Sequence, residues 1–436
     1  MALHTLERIQ MIPRMNRRNL LKTTAAAATG ILVLKPSTLF GYQANSAVRL
    51  GLLGCGNRGT SVATSFVHST NTHVAAIGDL FPDRLERGKA HFNDLAQSIG
   101  QPPLDEHETY LGRHAIEKLA ASTAIDMIQI STPPWFHVEH LGIAVASGKH
   151  IYCEKPVGID VAQTRHALDI AKKVQPNQSV AVGFQCRNAP GIAAAADRIR
   201  SGTLGKLVSI AAYYNAPASV EVVVPNASVD EHRLRNWLWD RALSGDILVE
   251  QNIHIIDLAN WIIGAHPVKA TCTGGRNVLT HAGDCWDNYQ VDFTYPGDVH
   301  LSFASTQFGN FGFDAGLKFF GATGNATVVY SGPIRIAGEN AWNWQDSLKT
   351  SPDAAKFAAD GAFQDNLAYA DRDKERAVID AITSNKPLNQ IASGVETALS
   401  CMLGRMSGLQ NREVTWEQLL AHGETYPLGI RMEQFA

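Results

Sequence analysis

A chain of 436 residues, 45% hydrophobic and 18% charged, carries enough apolar material for about two domains. Its formal net charge is only -3, and its aromatics do not interleave with Lys/Arg clusters, so the electrostatic signature of nucleic-acid binding is excluded and a small molecule becomes the expected partner. The six cysteines, Cys55, Cys153, Cys186, Cys272, Cys285 and Cys401, show no CxxC-type spacing; no metal site is expected, and buried thiols are favoured over a Cys272–Cys285 disulfide.

The first distinctive segment is 16–34, where Arg17-Arg18 precedes Leu20-Leu21-Lys22 and a mildly apolar run from Thr23 to Leu34. This order resembles a twin-arginine export signal rather than a disordered basic tail. The run is about half the length that crosses a bilayer as a helix, so no stable membrane anchor is expected. Residues 1–46 are read as signal and linker, with cleavage before Ala47 permitted by the small residues Ala44 and Ser46. The expected location is the periplasm, reached through the twin-arginine machinery as a folded protein.

From Val48 to Leu53 runs a short apolar strand, followed by the glycine turn Gly54-Cys55-Gly56-Asn57-Arg58-Gly59 and a helix from Thr60. Strand, GxGxxG and helix in that order make a dinucleotide site: the glycines admit a pyrophosphate to the helix N-terminus. The next strand, His73–Gly78, ends at Asp79, 20 residues past Gly59, where an acid receives both ribose hydroxyls. Asp79 would repel a 2'-phosphate, so NAD is favoured over NADP, although Arg84 softens that preference. Further strands at Asp126–Ser131, His150–Cys153 and Ser179–Phe184 alternate with helices at 137–147 and 160–173. The pattern predicts a doubly wound parallel sheet, a Rossmann domain over 47–186, with its crevice at the strand C-termini. Glu154-Lys155-Pro156, directly after the strand His150–Cys153, points a lysine at that crevice.

Beyond Arg187 the strand-like runs Leu207–Tyr214, Val268–Thr273, Tyr289–Tyr295, Val299–Ser305 and Ala326–Tyr330 mostly follow one another, predicting an α+β domain over 187–436 with a large, mostly antiparallel open-faced sheet. Helices over 245–263 and 374–409 would cover one face and leave the other for a partner subunit, as in a homodimer or homotetramer. Within the first of them, Glu250, His254 and Asp257 fall on one helical face, with Asp257 expected to meet substrate. Taken alone, such a triplet is more often a solvated ion network than a site. Gln185 and Arg187 leave the last Rossmann strand toward the second domain and are expected to line the cleft, and Trp237, Trp239 and Asp240 offer aromatic and acidic groups that suit a sugar ring or, for both tryptophans, core packing. His137 and His140, three apart, lack a third metal ligand.

Together, the glycine turn 54–59, Asp79, Thr132-Pro133, Glu154-Lys155-Pro156, Gly202-Thr203-Leu204-Gly205-Lys206 and Glu250…His254..Asp257 resemble the glucose-fructose oxidoreductase, inositol dehydrogenase and MocA family (Gfo/Idh/MocA) over about 48–415. The resemblance implies oxidation of a sugar or cyclic-polyol hydroxyl, with Lys155 and His254 at the reacting group and Glu250 where relatives carry aspartate. It also implies that Thr132, Pro133, His137, Glu154 and Lys155 lie along the cofactor, and Pro134 departs from the asparagine common in relatives. In this reading His254 is the base, Lys155 donates to the developing alkoxide, and Glu250 orients the imidazole and favours its protonated form. Two other classes stay open: a redox-neutral glycosidase that oxidises a ring carbon transiently with bound NAD, and a non-enzymatic NAD-binding sensor. Export as a folded protein further implies NAD held tightly and recycled in place.

Overall fold

The computed structural model describes residues 47–309, 312–344 and 365–435, so the segment read as an export signal lies outside the described residues. Six parallel strands, β1 (Val48–Leu53), β2 (Thr72–Asp79), β3 (Thr109–Leu111), β4 (Met127–Ile130), β5 (His150–Cys153) and β6 (Val180–Val182), form one sheet in the order β3-β2-β1-β4-β5-β6. Helices cover both faces, which is why every residue of β4 and β6 is buried and β6 reads as an uninterrupted apolar run, Gln129 being the one polar residue of β4. Because β1 pairs with both β2 and β4, the winding reverses between β1 and β4 and opens a crevice above their C-terminal ends. Helix α1 (Asn57–Ser69) leaves that point from the glycine turn, and α2 (Pro82–Ile99) leaves the end of β2.

Among the described residues the second sheet has nine strands, which include β8 (Lys269–Gly275), β12 (Gly324–Val329), β13 (Arg335–Gly338), β14 (Trp342–Asn343) and β15 (Val414–Thr415), in the order β14-β13-β12-β11-β7-β10-β9-β8-β15, all antiparallel except the β7–β10 pair. Its central members are β7 (Leu207–Ala216), β9 (Asn288–Tyr295), β10 (Val299–Gln307) and β11 (Asp314–Gly321). The alternation is the physical cause of its one-sidedness: Tyr289, Val291, Phe293 and Tyr295 of β9 are buried while Gln290 and Asp292 face outward. Strand β11 was not among the sequence expectations.

Two expected helices are each broken. The span 245–263 divides into α3 (Ile247–Glu250) and α4 (Ile253–Ile263) around Gln251-Asn252, after a buried Asp246 held at φ 77°. The span 374–409 divides into α5 (Ala370–Thr383) and α6 (Ile391–Gln410), separated by a connection containing Pro387, which lacks the N–H to continue a helix. That connection returns to the first sheet: Val180 N donates to Leu388 O and Gln390 N to Val180 O. Helix α5 packs on α1, so the chain's C-terminal part buttresses the glycine turn. Among the described residues no helix is long and apolar enough to cross a membrane.

Candidate active site

The cofactor end of the site follows from three glycines with distinct duties. Gly54 sits at φ 96°, and a Cβ there would come within 2.5 Å of Ser131 O; on Gly59 it would lie 2.0 Å from Gly54 O. These two positions close the turn and admit no side chain, whereas Gly56 borders the cleft, its nearest neighbour being the Arg84 guanidinium at 3.0 Å from an added Cβ. Such a bare backbone opening a helix is the cradle a pyrophosphate needs, so the residues present fit a dinucleotide. Asp79 closes the other side. Its Oδ2 accepts from Cys55 N at 2.7 Å and its Oδ1 from Phe81 N at 2.9 Å, which ties the glycine turn to the end of β2. Burial raises the Asp79 carboxyl above its ordinary pKa, opposed by those two amides and by Arg84.

Asn57, Arg58, Thr132, Pro133, His137, Glu154 and Lys155 all line one continuous cleft of about 1050 Å³ with Gly54, Gly56, Gly59 and Asp79. That is near the upper end of ordinary ligand sites, roughly 300–1,000 Å³. Arg58 lies between two acids: Nε is 2.9 Å from Glu154 Oε1, and Nη1 and Nη2 are each 2.8 Å from the Asp371 carboxylate. His137 is buried, its Nε2 2.7 Å from Thr132 O and its Nδ1 2.8 Å from Pro156 O. It thus fixes the Thr132-Pro133 turn against the Glu154-Lys155-Pro156 turn.

At the inner end of the cleft, Lys155 Nζ donates to Glu250 Oε1 at 2.6 Å and to Glu250 O at 2.5 Å. His254 lies nearby, buried, with Nδ1 free of any protein partner and its ring edge-on to Phe184. Burial, and then the positive charges of Lys155 and Arg58, hold its pKa well below the ordinary histidine value, so it is a neutral proton acceptor. This corrects the expectation that Glu250 orients the imidazole and favours its charged form. The break at Gln251-Asn252 takes Glu250 off the helix that carries His254, and its carboxylate goes to Lys155 instead.

The residues expected to meet substrate divide. Gln185 and Trp237 line the cleft, and Gln185 Oε1 is buried without a partner. Arg187, Asp240 and Asp257 do not line it. Arg187 donates to both oxygens of the fully buried Asp257, which also accepts from Thr397, and Asp240 pairs with Arg233 at 2.6 Å. Helix α4 is buried almost all round, so the face carrying Asp257 meets neighbouring elements, not the cleft. Trp239 is buried, packed on His281. Sequence reasoning missed Tyr214 and Gln307, which reach the cleft from the ends of β7 and β10. The signal for Gln307 was present: the covered face of β10 reads Val299, Leu301, Phe303 and then turns polar at Ser305 and Gln307, whose Oε1 is buried and unpartnered. All six cysteines are buried free thiols, and no group of three or more His, Cys, Asp or Glu among the described residues could hold a metal ion.

A switch-point crevice with a glycine cradle, a ribose-facing acid and a lysine, joined to a second domain that brings a neutral histidine and the glutamate paired with that lysine, defines a two-domain dinucleotide-dependent oxidoreductase. Residues 48–184 match the model described as "Oxidoreductase family, NAD-binding Rossmann fold", and residues 192–327 match the "GFO/IDH/MocA C-terminal domain". The chain belongs to the Gfo/Idh/MocA oxidoreductase family, and its cofactor is NAD. It is similar to an inositol 2-dehydrogenase of Rhizobium meliloti, 23% identical over 291 residues that make up 66% of this chain and 78% of that one. A glycosyl hydrolase family 109 protein of Saccharopolyspora erythraea is 27% identical over 177 residues, 37% of each chain. The solved levoglucosan dehydrogenase in complex with NADH and levoglucosan superposes with TM-score 0.65 at 17% identity, covering 86% of this chain and 100% of that one, a likeness of fold.

Proposed function

We propose that the protein oxidises a secondary hydroxyl of a sugar, cyclic polyol or glycoside, or reduces the corresponding ketone, with NAD as hydride partner. The observation that carries this reading is the convergence of Lys155 and neutral His254 at the inner end of the dinucleotide cleft. When bound, NAD supplies the hydride acceptor, while the hydroxyl proton needs a base. His254 takes that proton, since its pKa is held low enough to keep it unprotonated near neutral pH. The Lys155 ammonium donates to the oxygen as negative charge develops, and Glu250 holds that ammonium in place. Gln185 and Gln307 offer carboxamides with unpartnered oxygens to the substrate's other hydroxyls. The relatives' names, inositol 2-dehydrogenase and levoglucosan dehydrogenase, support a polyhydroxylated substrate.

Two wider features belong to the same reading. The order Arg17-Arg18, Leu20-Leu21-Lys22 and an alanine-rich run supports export to the periplasm. The outward face of the nine-stranded sheet supports association into a homodimer or homotetramer. An exported enzyme with little free NAD around it must recycle what it carries: one substrate's alcohol gives up a hydride and a proton, and a second substrate's carbonyl takes both. A redox-neutral glycosidase is the second reading, favoured by the likeness to a glycosyl hydrolase family 109 protein. Incubation with cyclitols, aldoses and glycosides, followed by chromatography of the products, separates the two. A ketone or lactone supports the oxidoreductase, and a free sugar with no net oxidation supports the glycosidase.

A further inference from the structure

Leu428 and Met432, near the end of the chain, line the same cleft as the glycine turn at 54–59. They are brought there by a segment with its own anchors. Tyr426 N donates to Asp160 Oδ2 at 2.9 Å, and Tyr426 O accepts from Trp135 Nε1 at 2.9 Å. Beyond it the segment runs beside the helix Val229–Arg235 of the second domain. Arg233 Nη1 donates to Gly429 O at 2.7 Å, and Asp230 Oδ2 accepts from Arg431 N at 3.2 Å and from Gln434 Nε2 at 2.6 Å.

The far side of both segments meets the Rossmann domain beside the ribose-facing carboxylate. Arg235 pairs with both Asp83 oxygens, at 2.8 and 3.2 Å, and lies 4.0 Å over the ring of Phe81. Phe435 packs edge-on to the same ring at 5.9 Å, and Glu433 reaches Arg113 at 3.5 Å. Phe81 is two residues past Asp79 and donates its amide to it. Phe81, Phe136, Leu234, Trp237, Met432 and Phe435 belong to a small apolar cluster separate from the two main cores. Three stretches distant in sequence therefore close on one another across the adenosine end of the cleft. The closure uses rim ion pairs and a small apolar cluster, the kind of local contact that opens at far lower cost than a core.

We propose that the segment 424–435 and the helix Val229–Arg235 form a latch over the adenosine end of the cleft, and that this latch has to open before NAD can leave, so the cofactor stays bound from one turnover to the next. The proposal rests on the NAD reading of the Rossmann domain and deepens the retention argued above, this time from contacts within the folded chain. Opening and closing of such elements commonly sets ligand release.

The test is the dissociation rate of NADH from the full chain, followed as loss of its fluorescence when the loaded protein is mixed with excess NAD. Phe435→Ala and Asp230→Ala remove latch contacts without touching the lining of the cleft, and deletion of 428–436 removes the part of the segment beyond its Tyr426 anchor. Each variant should release NADH on the order of tenfold faster than the parent while keeping its thermal transition. Unchanged release in the two point variants overturns the latch, even where the deletion fails to fold. Sugar oxidation by the same variants with NAD supplied in excess is scored separately. Its persistence alongside unchanged release rejects the latch alone, whereas its absence in the parent chain with every polyol rejects the reading of the site.

Discussion

Lys155 and Glu250, 95 residues apart in the chain, meet as an ion pair with Nζ 2.6 Å from Oε1, both largely buried. The pair joins the turn after β5 to the helix before His254, so the Rossmann domain and the second domain share one feature of the candidate site. Removing one partner of a buried pair strands the other charge, at a cost of about 3–5 kcal/mol. Glu250→Ala should therefore destabilise the protein as well as slow it. Glu250→Gln should lower kcat by roughly tenfold or more with NAD affinity unchanged, and Glu250→Asp, the residue common in relatives, should restore much of it. Steady-state kinetics with cofactor titrations check this; a change confined to KM would remove Glu250 from its positioning role.

Asp79 is tied to Cys55 N and Phe81 N, so its replacement acts on the turn as well as on the ribose. Asp79→Ala should weaken NAD binding by about tenfold and reduce the preference for NAD over NADP, with a stability loss of roughly 1–3 kcal/mol from the two orphaned amides. Titrations with both nucleotides test the assignment, which an unchanged affinity ratio rejects.

Much of this half of the molecule was legible because its chemistry is local in sequence. A strand, a glycine turn and a helix specify the cradle within a dozen residues, Asp79 ends a buried strand, and Lys155 lies two residues past the end of another. What escaped depends on distance or on a break in periodicity. Glu250, Gln251 and Asn252 interrupt the apolar residues, but three polar positions are also what one solvent-facing turn of a continuous helix shows, and with no Gly or Pro there the turn that separates Glu250 from His254 is not announced locally. Arg187 and Asp257 looked like cleft residues because each is polar and near the right elements, yet they satisfy each other. Asp371, which holds Arg58 from 313 residues away, has no signal in the chain until α5 is seen packing on α1.

Gln307 tests the substrate half. Gln307→Leu keeps the apolar continuity of β10 but removes a carboxamide whose oxygen has no protein partner. It should raise KM by about tenfold for the preferred substrate, the size of one lost neutral hydrogen bond, and leave the fold intact. A variant with an unchanged KM across the preferred substrates would place Gln307 outside the recognition set.

Glu375 gives a pH prediction with a definite sign. It is buried on α5, its Oε2 2.5 Å from Ser65 Oγ and 3.0 Å from Ser69 Oγ, and burial pushes its pKa up to about 8. Between the unfolded value of 4.5 and about 8 the folded state holds a proton that the unfolded state has lost, so this group's contribution falls as pH rises through that window. Glu375→Gln removes the loss. Its stability relative to the parent should grow from pH 5 to 8 by at most ~1.4 kcal/mol per unit, read from denaturant melts of both proteins. Lys374, lowered to about 7 by burial, contributes an opposite slope above that pH, and comparison with the variant cancels it.

The central claim is that Lys155 and His254 act on one substrate hydroxyl while hydride passes to NAD. Polyols carrying deuterium on the oxidised carbon test it directly: the protein is incubated with them, and its nicotinamide is analysed by mass spectrometry. The account predicts deuterium in the cofactor with the parent protein, and transfer slowed by on the order of 10²-fold in both Lys155→Ala and His254→Ala, with NAD still bound. Transfer at the parent rate in either variant, or no deuterium from any polyol or sugar supplied, would contradict it.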